Sequence, residues 1–271
     1  MFYSHRTVMA VISILTGFII LSTAIPGAAR TGQAGGFDAG PTKDQVVFAF
    51  GGDINKSFVR YAAALTGLAR PRVCYLPTAS ADNVYNINYF YEVCHDLPLE
   101  PYVLRVWVSS YYDTLSFEDI LLSMDVLIVG GGNTLNMMAI WKAQGIDEVL
   151  RKALRKGIVL AGGSAGSICW FENGLSDSRP KELSLVDGLA ILGFSHCPHY
   201  SGDGNRKKLY QEMILAGTTR AGYGCDELSG ILFKNGEFVK AVSLNEKNNS
   251  FCVSVINGRI VEKKLAAEKI E

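Results

Sequence analysis

One serine of this chain stands in the motif Gly-x-Ser-x-Gly, between two apolar segments. The motif spans residues 162–166 with Ser164 at its centre. Residues 158–161 before it predict a buried strand, and the residues after it have the apolar content of a helix. A serine on such a sharp strand-to-helix turn is placed to act as a nucleophile, and the helix start offers the amide of Ala165 to a developing oxyanion. A glycine-rich turn that merely exposes a serine is the plainer alternative.

A serine hydroxyl becomes a strong nucleophile only when a base takes its proton, and histidine is the usual base. The chain has four histidines. His5 lies near the N-terminus, and His95 precedes the nucleophile strand. The two that remain, His196 and His199, follow an apolar run, where a loop leaves the end of a strand. We predict that His199 is the base and that His196 is a surface loop residue.

The base in such sites is normally oriented by a carboxylate. Asp177 lies between the predicted nucleophile and the predicted base, whereas Asp226 and Glu227 follow the apolar segment at residues 221–225. All three could reach a site at the carboxyl edge of a sheet. Sequence spacing alone does not choose among them.

Three consecutive glycines at residues 130–132 follow an apolar run that predicts another strand. They lack the Gly-Lys-Ser/Thr of a P-loop and the spacing of a dinucleotide fingerprint, so nucleotide binding explains them poorly. A second oxyanion donor, the amide of Gly131 or Gly132, explains them better. Asn133, which follows directly, is a candidate for contact with substrate.

These residues must be positioned by the elements around them, and the apolar patterns from residue 46 to residue 161 alternate between strand and helix. Such alternation predicts an α/β fold with a mostly parallel sheet and helices on both faces. Toward the end, Asn-Gly pairs at 235–236 and 257–258 predict antiparallel hairpins. No internal repeat is present.

Composition narrows the class of partner. The chain has 271 residues, 48% of them hydrophobic, which is enough for one substantial core. Lysine plus arginine equal aspartate plus glutamate at 26 each, so the net charge favours neither nucleic acid nor an anionic membrane. No CxxC pair or Cys/His cluster has the spacing of a zinc site. We therefore expect a small molecule or peptide as the partner, and neither a metal nor another cofactor.

The N-terminal region differs from the rest. Residues 1–29 contain an apolar run followed by small residues, which predicts a secretory signal peptide or a membrane anchor, and a misassigned start codon is a further alternative. Residues 30–43 are rich in glycine and predict a linker. The catalytic domain is then residues 44–271. If the leader is real, the protein is exported or membrane-anchored, and otherwise it is cytoplasmic; any membrane association would involve only this segment.

Three segments, taken together and in this order, resemble peptidase family S51, the family of peptidase E and, more distantly, cyanophycinase. They are the glycine-rich segment at residues 129–134, Gly-Ser-Ala-Gly-Ser at 163–167 and Pro-His-Tyr at 198–200. The resemblance covers about residues 45–235. It implies a fold similar to class I glutamine amidotransferase domains.

The resemblance also implies roles for individual residues. Ser164 matches the family's nucleophile and His199 its base, whereas Asp177 matches the family's acid by position, with Glu227 as the second candidate. Peptidase E is associated with dipeptides that begin with aspartate, which need a cation in the pocket. Arg206, with the two lysines after it, could supply that cation, although a solvated basic helix start is the alternative.

The sequence thus predicts a serine peptidase that hydrolyses short peptides through an acyl-enzyme on Ser164. Two rivals stay open. An esterase of the α/β-hydrolase type shares the motif and the residue order, and a catalytically silent binding protein could use the same fold. The sequence makes no prediction about the oligomeric state.

Overall fold

The computed structural model describes residues 44–108, 114–202 and 204–271. The predicted leader at residues 1–29 and the predicted linker at residues 30–43 lie outside this range, so both stay predictions. Among the helices of the described residues, none combines the length and the apolar character needed to cross a lipid bilayer.

The described residues form fourteen strands, seven α-helices and a short 3-10 turn at Thr78–Ser80. The strands are β1 (Val46–Phe50), β2 (Arg72–Leu76), β3 (Glu100–Val103), β4 (Val126–Val129), β5 (Val159–Gly163), β6 (Phe171–Arg179), β7 (Glu182–Asp187), β8 (Leu192–Pro198), β9 (Gly222–Cys225), β10 (Ser229–Lys234), β11 (Glu237–Ser243), β12 (Ser250–Ile256), β13 (Arg259–Lys264) and β14 (Ala267–Lys269). The helices are α1 (Lys56–Ala64), α2 (Val84–Cys94), α3 (Phe117–Leu122), α4 (Thr134–Gln144), α5 (Ile146–Arg155), α6 (Ala165–Ile168) and α7 (Arg206–Leu215).

The larger sheet has eight strands in the order β14-β11-β10-β1-β5-β4-β2-β3. The five strands from β1 to β3 in this order are parallel to one another, and β10 and β11 extend the β1 side of the sheet as an antiparallel hairpin. The prediction of a mostly parallel sheet with C-terminal hairpins is therefore confirmed. Because β1, β5 and β4 are adjacent and parallel, their carboxyl ends meet at one edge of the sheet.

Helices cover both faces of this sheet, as the alternation predicted. Successive residues of β1 point to opposite sides, so Phe48 and Phe50 belong to a core with α1 and α2, whereas Val47 and Ala49 belong to a core with α4 and α5. The central strands are buried on both faces, which is why they read as continuous apolar runs.

A second sheet was not predicted. Its six strands lie in the order β13-β12-β9-β8-β6-β7, and α7 packs on it through Tyr210 and Ile214. The helix predicted after Ser164 is a single turn, because α6 ends at Ile168 and β6 begins at Phe171. The rest of β6 is largely polar, so its sequence lacks the apolar run by which the buried strands were recognised.

Candidate active site

Ser164 sits on the predicted turn between β5 and α6. Its backbone has φ 51° and ψ −120°, a conformation that L-residues rarely adopt and that costs on the order of 1–3 kcal/mol. The turn also needs glycines. A Cβ added to Gly163 would lie 2.1 Å from the carbonyl oxygen of Gly52, and one added to Gly166 would lie 2.1 Å from that of Val129. The strained serine is thus held where two neighbouring strands end.

His199 lies beside this serine, directly after β8. Its Nε2 is 2.7 Å from Ser164 Oγ, and its Nδ1 is 2.5 Å from Glu227 Oε1. When the Nδ1–H group donates a hydrogen bond to the carboxylate of Glu227, Nε2 carries no proton and can accept the hydrogen bond of the serine hydroxyl. The backbone amide of His199 donates to the carbonyl of Gly51 at 3.3 Å, which ties this loop to the end of β1. The structure therefore brings a hydroxyl, an imidazole and a carboxylate into one hydrogen-bonded chain.

The other two acidic candidates lie elsewhere. Asp177 is on β6, its side chain is 74% exposed, and its Oδ2 is 3.7 Å from Arg206 Nη2. Asp226 is buried, and its carboxylate accepts from the amides of Ser201 and Asn249. The expectation that Asp177 orients the imidazole disagrees with this geometry, because the Nδ1 of His199 is already hydrogen bonded to Glu227.

The glycine run lies against the serine. A Cβ on Gly131 would be 3.2 Å from Ser164 Cβ and 3.6 Å from its Oγ, so this residue borders the reacting oxygen directly. Gly132 has φ +136°, a value that suits only glycine, and abuts the carbonyl oxygen of Ala79. Within the described residues, no hydrogen bond uses the amides of Gly131, Gly132 or Ala165. These amides are therefore free to donate to a ligand.

Two residues predicted to contact substrate have structural partners instead. Asn133 caps α4, because its Oδ1 accepts from the amide of Asn136, and its Nδ2 donates to the carbonyl of Ser178 on β6. Arg206 has a side chain only 7% exposed, donates to the carbonyl of Leu175 and pairs with Asp177. A guanidinium so buried is not available to a substrate, and Asn133 already uses both ends of its amide.

The prediction that His196 is a surface loop residue is wrong. The residue lies on β8, is completely buried and stacks on the ring of Phe171 with centroids 4.4 Å apart. Its ring nitrogens are hydrogen bonded to Ser167 Oγ and to the carbonyl of Tyr223. Burial lowers the pKa of His196 to about 3, so this imidazole is neutral and structural at physiological pH.

Sequence reasoning missed one carboxylate at this site. Asp53 lies after the two glycines that follow β1, and its Oδ1 would lie 2.5 Å from a Cβ on Gly131. Burial is the main reason that the pKa of the Tyr75 hydroxyl is raised, and the negative charge of the nearby Asp53 adds to the effect. The signal was present in the sequence, since Asp53 follows an apolar strand, as the glycine run does.

The described residues offer no arrangement of three His, Cys, Asp or Glu side chains that could share a metal ion. At Ser164 the protein itself supplies a nucleophile with a hydrogen-bonded base, a carboxylate bonded to that base, and backbone amides without an acceptor among the described residues.

Comparison with known proteins agrees with this chemistry. The family model described as peptidase family S51 matches residues 49–241. The chain is 36% identical over 208 residues to the "Uncharacterized peptidase YgaJ" of Bacillus subtilis (strain 168), a match that covers 77% of this chain and 89% of the relative.

Two solved structures share the fold. One, a peptidase from an acI-B1 Actinobacterium, superposes with a TM-score of 0.66 at 14% identity and covers 84% of this chain and 96% of that one. The other, described as a "Putative Peptidase E Protein" from Listeria monocytogenes EGD-e, gives a TM-score of 0.56 at 19% identity and covers 74% and 100%. By the family match, this chain belongs to peptidase family S51 and is a serine peptidase.

Proposed function

We propose that this protein hydrolyses short peptides through an acyl-enzyme formed on Ser164, with His199 as general base and Glu227 as the group that orients it. The observation that carries the proposal is the hydrogen-bonded chain from Ser164 Oγ through both nitrogens of His199 to Glu227. The strained turn supports it as well, because a backbone held at φ 51° indicates a position that function, not folding, requires.

The reaction follows from these positions. Ser164 Oγ attacks the peptide carbonyl while His199 Nε2 takes the hydroxyl proton, and the resulting imidazolium is stabilised by the carboxylate of Glu227. The same imidazolium then gives its proton to the leaving amine. Water hydrolyses the acyl-enzyme by the reverse sequence, with His199 again acting first as base.

The oxyanion formed at each step needs donors. The amide of Ala165, at the start of α6, and the amide of Gly131 or Gly132, beside Ser164 Oγ, are the candidates that have no acceptor within the described residues. Loss of one such donor typically costs about 10²–10³ in kcat. The preference for short peptides rests on the resemblance to peptidase E, a dipeptidase.

The test is hydrolysis of a panel of dipeptides with varied first residues, by the purified protein and by its Ser164→Ala and His199→Gln variants. Each substitution should lower turnover by on the order of 10⁴-fold or more, because the residues act as a unit. Ser123→Ala, which changes an exposed serine after α3, is the matched control and should keep full activity.

Other outcomes would replace the proposal. Ser164-dependent hydrolysis of p-nitrophenyl acetate without cleavage of any peptide would indicate an esterase. Absence of turnover on every substrate, together with no labelling by a fluorophosphonate probe, would indicate a catalytically silent protein.

A further inference from the structure

Asp53 places a carboxylate within reach of the atoms that react. A Cβ on Gly131 would be 2.5 Å from Asp53 Oδ1 and 3.6 Å from Ser164 Oγ, so these two oxygens are no more than about 6 Å apart. The residue is exposed to solvent. Within the described part of the chain it has neither an ion pair within 4 Å nor a hydrogen bond to its carboxylate. Its charge is therefore available to a ligand.

A negative charge at this position opposes the reaction of a neutral substrate. The oxyanion of the tetrahedral intermediate would form beside Gly131, the residue that Asp53 Oδ1 borders. Like charges a few ångströms apart repel, and the repulsion is strongest when the substrate displaces water from between them. The transition state is favoured only if the substrate brings a positive charge to Asp53.

The amino group of a peptide's first residue is the positive charge that lies nearest its scissile carbonyl. Standard backbone geometry puts that nitrogen about 2.5 Å from the carbonyl carbon. The carbonyl carbon sits about 3–3.5 Å from the attacking oxygen, and an ammonium sits about 2.8 Å from its carboxylate partner. Three such segments, bent at the carbon and at the nitrogen, can bridge two oxygens that are no more than about 6 Å apart, as Ser164 Oγ and Asp53 Oδ1 are.

We propose that Asp53 binds the free α-ammonium group of the substrate's first residue and so directs cleavage to the first peptide bond. This inference rests on the proposed function of Ser164 and names the substrate class: peptides with an unblocked N-terminus. The ammonium neutralises Asp53 before the oxyanion forms, so the ion pair both binds the substrate and removes the repulsion from the transition state.

The test compares two substrates that differ only in the amine. Alanyl-leucine carries it, and propionyl-leucine has hydrogen in its place. The variant is Asp53→Asn, which keeps size and removes charge. Asp44→Asn is the control, since Asp44 is an exposed carboxylate that precedes β1, whereas Asp53 follows the other end of this strand. Leucine release gives kcat/KM for each pair, and p-nitrophenyl propionate reports the activity of Ser164 independently of any amine.

For wild type we expect kcat/KM for alanyl-leucine to exceed that for propionyl-leucine by at least tenfold. Asp53→Asn should lower the first value by roughly 10- to 100-fold, the range expected for loss of a charged hydrogen bond, and should raise the second by up to about tenfold. Changes in opposite directions are the diagnostic result, because general damage to the site would lower both values. Asp44→Asn should change neither.

Three results would overturn the proposal while leaving the function of Ser164 intact, as judged by Ser164-dependent ester hydrolysis. They are equal rates on the two substrates in wild type, an unchanged substrate ratio in Asp53→Asn, and ester hydrolysis without cleavage of alanyl-leucine. If Ser164→Ala instead hydrolyses the ester at the wild-type rate, the proposed function itself fails, and the role of Asp53 fails with it.

Discussion

Replacing Glu227 by glutamine tests which carboxylate acts on the base. Glutamine keeps an oxygen that can accept from Nδ1 of His199, so the neutral imidazole can stay in place. What is lost is the negative charge 2.5 Å from that nitrogen, and this charge matters only when His199 becomes an imidazolium during the reaction. The substitution should therefore lower kcat and leave KM nearly unchanged.

The size of the effect follows from the distance and the exposure. Two unit charges 2.5 Å apart attract by about 2 kcal/mol at the dielectric constant of water and by about 7 kcal/mol at an effective value of 20. The side chain of Glu227 is 50% exposed and that of His199 is 27% exposed, so the lower half of this range applies. A loss of about 2–4 kcal/mol corresponds to a fall in kcat on the order of 30- to 1,000-fold.

Asp177→Asn is the matched comparison, because it removes the same charge from a carboxylate that contacts Arg206 and not the imidazole. We expect its kcat to lie within twofold of wild type. Steady-state hydrolysis of the best dipeptide and of p-nitrophenyl acetate gives both values. The reasoning is refuted if Asp177→Asn is as damaging as Glu227→Gln, or if Glu227→Gln keeps more than a third of wild-type kcat.

Two further predictions concern the glycine loop and the buried histidine. Gly131→Ala should lower kcat on the order of 100-fold with little change in thermal stability, because its methyl group would lie 3.2 Å from Ser164 Cβ and 2.5 Å from the exposed carboxylate of Asp53, which must move; wild-type kinetics would contradict this. Because of His196, the free energy of unfolding of the wild type should fall by about 2 kcal/mol from pH 7.5 to pH 5. In this range the unfolded histidine binds a proton, whereas the buried His196, with a pKa of about 3, does not. Urea unfolding of wild type and His196→Gln at both pH values measures this loss, and equal pH slopes in the two proteins would contradict it.

Local sequence predicted the site residues that are recognisable from a turn or from their scarcity in the chain. Ser164 was recognisable because glycines flank it and a buried strand precedes it, and His199 because few histidines compete with it. The carboxylate could not be chosen in the same way. Glu227 follows β9, which pairs with β8 just before His199, and that pairing belongs to the unpredicted second sheet.

Residues with side chains engaged in tertiary contacts were the least predictable. The basic residue Arg206 has the appearance of a substrate ligand in sequence, but it is buried against β6 and paired with Asp177. His196 lies two residues before the end of a strand and packs on Phe171, which no local pattern indicates. Asp53 could have been found, since an acidic residue after the first parallel strand must lie at the same edge of the sheet as the serine.

The most direct test of the central claim, that His199 activates Ser164, is the rate and position of phosphonylation by a fluorophosphonate followed by mass spectrometry. The hydrogen bond of 2.7 Å between His199 Nε2 and Ser164 Oγ predicts a single adduct on Ser164, with a labelling rate that falls at least 100-fold in His199→Gln. An adduct on another residue, or equal labelling rates in the two proteins, would contradict it.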